Sequence, residues 1–413
     1  MKPQNSPLAK NLDKLKKLQN RKSLQDPDGP SLEIPPRVIA EFSAKALVGN
    51  YRAIQELVPK QMLLPMIKAN AYGHGAVWAA ENLMDEKGLY GFGVATLEEA
   101  KELRDELGPE ARNLKIVIVS GCVPWTEEKG HFCEAYGLTP IIGSDEDWTR
   151  FLKGGWPGRI PYHLKFNTGM NRLGINPAFS SQVIRSLKAL PGDSQPEGVG
   201  SHLAMGEDPT HALSLQQLDR FKALRREFSS VCPAALFHLA NSSAVWNQKY
   251  WGLDGMTDFV RPGISLYGVP PWQGAPARGL TAVMTLKVSV IMTRRLKVGE
   301  SLGYSGTFKV PGPKKGQKEE AVHVALVSAG YADGLNRALG NSGHALLNQR
   351  LQKFLGIVSM DLGAIECSPQ TKVGEWAQVL GPEMDPWIQA RAANTIPYEL
   401  LTSVSRRVKR IYG

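Results

Sequence analysis

The chain has 413 residues, of which 42% are hydrophobic and 21% charged, a balance that is typical of globular proteins and excludes an intrinsically disordered chain. Its length predicts two or three domains. The formal net charge of +10 is spread over the N-terminal tail, residues 311–318 and residues 405–413. Because no motif gathers these charges onto one surface, we predict no nucleic-acid site.

Other classes of protein are disfavoured by what the sequence lacks. No run of roughly eighteen apolar residues occurs, so we expect no membrane span, and the N-terminus lacks the apolar segment of a signal peptide. The cysteines are scattered and form no C-x-x-C pair, which predicts reduced thiols, a cytoplasmic location and no bound metal. They are Cys122, Cys133, Cys232 and Cys367.

The chain begins with a polar, basic and proline-bearing segment, residues 1–36, for which we expect a disordered tail. From residue 37 to residue 276, strand-like apolar runs alternate with segments of helical spacing. The runs are MLLPMIKA, LYGFGVA, KIVIVSG, LTPIIGS, PYHLKFN, GVGSHLA, LFHLANS and DFVRPGISLYG. This alternation predicts an α/β fold of the (β/α)8 TIM-barrel class. An open doubly wound sheet is less favoured, because no G-x-G-x-x-G follows the first strand.

The pattern changes after residue 276. Runs such as TAVMTLKVSVIMTRRL and AVHVALVSAGYADG indicate strands and turns without long helices between them. We therefore predict a second, mostly β domain over residues 277–413. The short run RVIAEF, before the barrel, is also strand-like and could join this second sheet.

Polar residues follow the strand-like runs of the predicted barrel, where function is expected because the strands end at one face. They are Lys68 and Tyr72; Lys165 and residues 168–174; His202; Asn241, Ser242 and Ser243; and Arg261. A lysine amine forms a Schiff base with the aldehyde of pyridoxal phosphate. The hydroxyl of Ser242 and the backbone N–H groups of Gly263 and Ile264 are suited to its phosphate.

Nine motifs, in this order, resemble those of the pyridoxal-phosphate-dependent alanine racemases. They are IKANAYGHG, KFNTGMNRLG, SHLA, HLANSSA, VRPGISLYG, GESLGYSGTF, GYADG, SMD and NTIPYE. The resemblance implies a cofactor-binding barrel joined to a β domain, in a homodimer whose active sites are each completed by the partner's β domain. It also implies interconversion of L- and D-alanine, supplying D-alanine for peptidoglycan.

The resemblance implies two acid/base residues. Lys68 would hold the cofactor and serve as one of them, and Tyr304 would reach in from the other subunit as the second. Because a phenol has a pKa near 10, Tyr304 would need cationic neighbours, for which His202 and Arg261 are candidates. Arg261 would also face the pyridine nitrogen, and His202 would stack against the cofactor.

Further roles follow from the same resemblance. The phosphate and the rest of the cofactor would be held by Tyr72, Asn241, Ser242, Gly263, Ile264 and Tyr398. Substrate would be bound by Arg172, Met360, Asp361 and Tyr331, with Arg172 also contacting the cofactor's phenolic oxygen. Lys165 corresponds to a position that is carbamylated in some members. For His74 we favour a turn-stabilising hydrogen bond over a metal contact.

Two other functions stay open at this stage. One is a broad-specificity or serine-preferring racemase of the same fold. The other is a non-catalytic pyridoxal-phosphate-binding protein. Such proteins resemble the barrel alone, so the predicted β domain and Tyr304 favour catalysis.

Overall fold

The computed structural model describes residues 34–313 and 321–413, and Arg37–Gly413 form one compact unit. The expected disordered tail lies mostly outside the described residues, as does most of the basic loop at 311–318. Within the described part of the chain, every helix is too short or too polar to cross a bilayer. In the same residues, no three His, Cys, Asp or Glu side chains are grouped closely enough to share a metal ion.

Strand β1 (Val38–Phe42) precedes a barrel of eight parallel strands. The barrel strands are β2 (Met62–Leu63), β3 (Phe92–Val94), β4 (Ile116–Ile118), β5 (Thr139–Ile142), β6 (His163–Lys165), β7 (Gly198–Gly200), β8 (Leu236–His238) and β9 (Phe259–Val260). Strands β3 to β8 pair in sequence, and β9 pairs with β2. Parallel bridges Met66–Gly93 and Asn241–Arg261 complete the circle. The prediction of a (β/α)8 barrel is therefore confirmed.

Helices alternate with the barrel strands. They are α1 (Ala44–Leu57), α2 (Ala76–Leu83), α3 (Leu97–Leu107), α4 (Glu127–Tyr136), α5 (Asp145–Lys153), α6 (Ser180–Ala189), α7 (Ala212–Ser229), α8 (Ser242–Trp246) and α9 (Gln248–Trp251). Four of them begin after a hydroxyl side chain that accepts a hydrogen bond from a backbone N–H of the first turn, which is a strong start signal. These residues are Ser43, Thr96, Thr126 and Ser144.

The C-terminal part is mostly β structure. Its elements are β10 (Met284–Leu296), β11 (Ser301–Leu302), β12 (Phe308–Lys309), β13 (Val322–Val327), β14 (His344–Leu347), β15 (Arg350–Lys353), β16 (Gly363–Glu366), β17 (Trp376–Leu380), α10 (Pro386–Ala392), α11 (Pro397–Thr402) and β18 (Lys409–Tyr412). The main sheet has the order β15-β14-β17-β10-β1-β18. Strand β10 has a bulge between Val290 and Met292, and its second half pairs with β13. The predicted β domain is thus confirmed as a fold.

Strand β1 belongs to this C-terminal sheet although it precedes the barrel. It pairs antiparallel with β10 and parallel with β18. The expectation that RVIAEF joins the second sheet is therefore confirmed. The barrel's first helix follows directly from β1, and one apolar cluster extends from the barrel interior into the sheet. The two parts of the chain therefore share a continuous core.

The C-terminal elements also contact the loop after the first barrel strand. Gly73, at φ +83°, lies so close to α11 that a β-carbon there would be 2.3 Å from the carbonyl oxygen of Leu401. From β18, Arg410 donates a hydrogen bond of 2.6 Å to the carbonyl of Gly73. Only glycine combines that conformation with so close an approach. The β domain of the chain therefore fixes the loop that begins at Lys68.

Candidate active site

A cavity of about 420 Å³ opens at the C-terminal ends of the barrel strands. Ser243 and most of residues 168–174 do not line it. The lining residues do include every barrel residue to which the resemblance gives a role, together with Tyr398 of α11. These are Lys68, Tyr72, Lys165, Arg172, His202, Asn241, Ser242, Arg261, Gly263, Ile264 and Tyr398. Residues far apart in sequence thus meet because parallel strands all end at this face.

The cavity is cationic. Lys68, Lys165, Arg172 and Arg261 line it, and none of its lining residues is an aspartate or glutamate. Burial, followed by the nearby guanidinium of Arg261, lowers the pKa of Lys165 to about 8. Burial and Arg172 also lower the pKa of Lys68. The site therefore favours an anionic ligand, and its amines are more easily freed of their protons to act as nucleophiles.

Lys68 opens a left-handed turn. Ala69, Asn70 and Ala71 have φ of 50°, 52° and 54°, and Tyr72 follows with φ 54°. Left-handed helical conformation costs about 1–2 kcal/mol for each residue with a β-carbon. Such strain persists only where surrounding contacts over-determine it, typically at functional sites. The turn therefore marks Lys68 as a residue whose placement is maintained at a cost to stability.

The turn is stabilised by its own polar groups. His74 is fully buried, and its Nδ1 lies 2.9 Å from the carbonyl of Ala71 and 3.0 Å from that of Tyr72. The favoured interpretation of His74 as a turn-stabilising residue is therefore confirmed. The side-chain oxygen of Asn70 accepts a further hydrogen bond, of 2.8 Å, from the N–H of Ala76.

Arg261 is 7% exposed and has only neutral hydrogen-bond acceptors. Its Nη2 donates to the carbonyl of Ser201 at 2.7 Å and to Nδ1 of His202 at 3.0 Å, and its Nη1 donates to His238. Burial lowers its pKa to about 10, which leaves it charged at neutral pH. Among the described residues its Nε–H has no acceptor, so a donor remains available toward the cavity that Arg261 lines.

A chain of hydrogen bonds continues from Arg261 through the barrel interior. Nε2 of His238 lies 3.3 Å from Nδ1 of His163, and Nε2 of His163 lies 3.0 Å from the hydroxyl of Tyr90. Because a guanidinium only donates, His238 must accept at Nδ1 and hold its proton on Nε2. His163 then accepts at Nδ1 and donates from Nε2 to Tyr90. One arginine thereby sets the tautomers of two buried imidazoles.

These imidazoles are neutral at physiological pH. Burial, with the nearby positive charge of Arg261, lowers the pKa of His202 and of His238 well below 6.5. Burial and Lys115 lower that of His163 to about 3. The expectation that His202 supplies a positive charge to a neighbouring phenol is therefore wrong, because a histidine buried beside Arg261 does not take up a proton. Arg261 remains as a cationic candidate.

One side of the cavity is built to hold an anion. The N–H of Gly263 donates to Oγ of Ser242 at 2.9 Å, which leaves the hydroxyl proton of Ser242 free to donate. A β-carbon at Gly263 would be 2.5 Å from the hydroxyl of Tyr72. Burial raises the pKa of Tyr72, and it raises that of Tyr398 to about 12. Both phenols therefore keep their protons and can donate. Asn241 caps α8 by accepting from the N–H of Ala244.

Four residues proposed from the sequence do not line this cavity. Tyr304, Tyr331 and Met360 are exposed by 71%, 44% and 52%, and Asp361 is also exposed. Three of them lie together, because Tyr331 donates its N–H to the carbonyl of Ser359, at 3.0 Å, next to Met360 and Asp361. A single chain thus presents these side chains on the surface of its β domain, and none of them lines its own barrel site.

The sequence-based reasoning missed His163, His238 and Gln217. His163 precedes Lys165 by two positions in HLK, so strand alternation could have placed it inside the barrel. His238 precedes Asn241 by three positions in HLAN, and alternation does not relate those two residues. Gln217 lies fully buried on α7 and donates to the carbonyl of His202 at 2.9 Å and to Thr168 at 3.2 Å. No local pattern distinguishes it from other helical glutamines.

Pyridoxal phosphate fits the groups that are present. Its phosphate matches the hydroxyl and amide donors around Gly263, and its aldehyde matches an amine of lowered pKa at Lys68. Its ring nitrogen, an acceptor, matches the unpaired donor of Arg261. An acidic partner for that nitrogen is absent from the residues that line the cavity.

Comparisons with known proteins agree with this site. Residues 43–271 match the family model for the N-terminal domain of alanine racemase, and residues 283–412 match that for its C-terminal domain. An alanine racemase from Nitrosococcus oceani is 32% identical over 376 residues, covering 90% of this chain and 98% of the relative.

Solved structures give the same result. A biosynthetic alanine racemase from Pseudomonas aeruginosa superimposes with a TM-score of 0.79 at 30% identity, covering 92% of this chain and 100% of that chain. An alanine racemase from Bartonella henselae, solved with covalently bound pyridoxal phosphate, has a TM-score of 0.78 at 30% identity over the same shares.

The left-handed turn predicts an unusual response to substitution at the exposed Ala69. Ala69→Gly should leave the free energy of unfolding unchanged or raise it by about 1 kcal/mol, whereas Ala69→Val should lower it by about 1–2 kcal/mol. The control is Ala223→Gly in the middle of α7, which should lower stability by about 1 kcal/mol. Urea unfolding measures all three. If Ala69→Gly and Ala223→Gly lower the free energy of unfolding equally, the backbone of the turn at Ala69 is not strained.

The buried, neutral His163 predicts a pH dependence of stability. Its pKa is about 3 when folded and near 6.5 when unfolded, so the unfolded chain binds the extra proton between these values. Stability is therefore fully present above pH 6.5 and decreases as the pH falls toward 3. His163→Asn should reduce this slope by about 1.4 kcal/mol per pH unit, measured by urea unfolding from pH 6.5 to 4.5. His131→Asn, at an exposed histidine, serves as control. If the free energy of unfolding changes equally with pH in both variants, His163 is not the source of the pH dependence.

Proposed function

The chain belongs to the alanine racemase family of pyridoxal-phosphate-dependent isomerases, and from that premise we propose that it interconverts L-alanine and D-alanine. The observation on which this rests most is the position of Lys68. It is a half-buried amine of lowered pKa on a strained turn, in a cationic cavity that no carboxylate lines. A structural lysine needs none of these features.

The cofactor supplies an electron-withdrawing ring that acidifies the α-proton of a bound amino acid. Lys68 would hold the cofactor through its aldehyde and would move a proton on one face of the substrate. Arg261 would face the ring nitrogen as a hydrogen-bond donor, and because a guanidinium keeps its proton, that nitrogen would stay unprotonated. The ring would then be a weaker electron acceptor, which would disfavour side reactions such as transamination.

Inversion at the α-carbon requires a second acid/base group on the opposite face. We assign this role to Tyr304 of a second copy of the chain. Its exposure on the β domain, and its absence from the lining of its own chain's cavity, support this assignment. A head-to-tail homodimer would bring this phenol to the partner's Lys68, since a two-fold axis makes both contacts equivalent.

Substrate binding is assigned to groups from both chains. Arg172 lines the cavity, and Met360, through its backbone N–H, would bind the substrate carboxylate beside Asp361. Asp361 does not oppose that carboxylate strongly, because Arg407 pairs with it at 2.7 Å. Tyr331 would narrow the entrance, which favours the small side chain of alanine.

Lys165 is proposed to be carbamylated. Carbon dioxide adds to the unprotonated amine and a proton leaves, so a pKa of about 8 favours the reaction at neutral pH. The resulting anion would pair with Arg172 or Arg261, whose positive charges now disfavour a protonated Lys165. Carbon-13 bicarbonate should give a carbamate resonance in the protein that Lys165→Ala lacks. Identical spectra would remove the assignment.

A cytoplasmic location and a role in supplying D-alanine for peptidoglycan are part of the same proposal. The four cysteines are unpaired, which is usual in a reducing compartment. Expression of this chain in a bacterial strain that requires D-alanine should restore growth, and the Lys68→Ala variant should not. Growth with neither would exclude this role.

The activity itself is tested with the purified protein, pyridoxal phosphate and L-alanine. D-alanine should accumulate, and kcat/KM for L-alanine should exceed that for L-serine and larger amino acids. Preference for L-serine would favour the broad-specificity alternative. Bound cofactor without turnover of any amino acid would instead favour a non-catalytic carrier.

A shared active site predicts complementation between two inactive variants. Lys68→Ala and Tyr304→Phe homodimers should each lose most of their activity. When the two chains are unfolded together and refolded as a mixture, half of the dimers pair different chains, and each of these has one intact site. About one quarter of wild-type activity per site should therefore return. Activity that stays at the level of the separate variants would show that Lys68 and Tyr304 do not act across chains.

A further inference from the structure

Glu99 contacts the backbone beside Lys68. It lies in the first turn of α3, and its Oε1 accepts a 2.7 Å hydrogen bond from the N–H of Ala69. Its Oε2 accepts a 2.6 Å bond from the N–H of Ala95, which follows strand β3. One carboxylate thus joins the residue after Lys68 to the end of the neighbouring barrel strand.

This contact lies where the strained turn needs support. At its far end the turn is held by Arg410, which donates to the carbonyl of Gly73, and by Asn70 bonded to Ala76. At its near end Glu99 holds the N–H of Ala69, the first residue with left-handed φ. A bond from a carboxylate to a backbone N–H is stronger than a neutral one. Without it, the residues after Lys68 are free to relax toward ordinary backbone conformations.

Glu99 also acts on the charge of Lys68. The groups facing that amine include the cations Arg172 and Lys165, the neutral His202, and Glu99. Burial and Arg172 lower the pKa of Lys68, and Glu99 opposes them. Glu99 itself does not line the cavity. Its influence on a ligand must therefore pass through Lys68 and the turn.

We propose that Glu99 is a positioning residue, whose carboxylate holds the left-handed turn so that the amine of Lys68 meets the cofactor's aldehyde. This rests on the proposed function in one respect, which is that Lys68 forms the covalent bond to pyridoxal phosphate. The phosphate and ring contacts, made by other strands, do not depend on Glu99.

Glu99→Gln is compared with Glu98→Gln, a change of the same type at the exposed neighbouring residue. Two ligands are titrated into each full-length protein after removal of the cofactor. Pyridoxal phosphate reacts with Lys68, whereas pyridoxine phosphate has an alcohol in place of the aldehyde and cannot. Glu99→Gln should weaken the binding of pyridoxal phosphate about tenfold or more, since small misplacements of a reacting group are costly. Pyridoxine phosphate should bind as it does to the wild type, and Glu98→Gln should change neither.

Two further variants keep the outcomes distinct. Glu99→Asp retains the charge but is one methylene shorter, so it should show the same selective loss even if Glu99→Gln does not fold. In a Lys68→Ala background, Glu99→Gln should have no effect on either ligand. The positioning role is overturned if Glu99→Gln and Glu99→Asp weaken the binding of both ligands equally, or if they weaken the binding of neither. If instead Lys68→Ala itself does not weaken pyridoxal phosphate, the proposed function of Lys68 fails rather than that of Glu99.

Discussion

The guanidinium of Arg261 is buried without a carboxylate, and the site is organised around that positive charge. It is solvated by the carbonyl of Ser201 and by the imidazoles of His202 and His238. A buried charge is expensive unless it is paired or well hydrogen-bonded. Neutral acceptors bind its Nη1 and Nη2 donors but leave its charge uncompensated, and Lys68 and Lys165 add to the positive potential. An anionic cofactor would offset this positive potential. The hydrogen-bond donors of the cavity and its charge therefore favour the same ligand, one that carries a phosphate.

The same charge determines the protonation of its surroundings. Because Arg261 can only donate, each imidazole beside it must accept, and the buried histidines stay neutral. Lys165 responds in the same direction, with a pKa lowered to about 8. The positively charged site is thus made mainly of arginines and of lysines that release protons readily. That combination suits a reaction that begins with an amine attacking an aldehyde.

Placement of Lys68 depends on a second constraint, the left-handed turn. The turn is fixed from both domains: Gly73 is packed against α11 and bonded to Arg410 of β18, and Glu99 of α3 bonds to Ala69. Strand β1 begins the chain's path into the barrel from the C-terminal sheet. The β domain therefore supports the barrel site of its own chain, although its exposed residues Tyr304 and Met360 do not line that site.

The sequence by itself determined the barrel, the β domain and the residues at the strand ends. Those features depend on local periodicity, and parallel strands bring their last residues to one face. Tertiary structure decided what depends on distance in sequence: the neutrality of His202, the roles of His163 and His238, and the contact of Glu99 with Ala69. Burial and the approach of Arg261 set those protonation states, and neither is a property of any short segment. A single lysine in a motif can thus be identified from sequence, whereas its pKa and backbone strain depend on the folded chain around it.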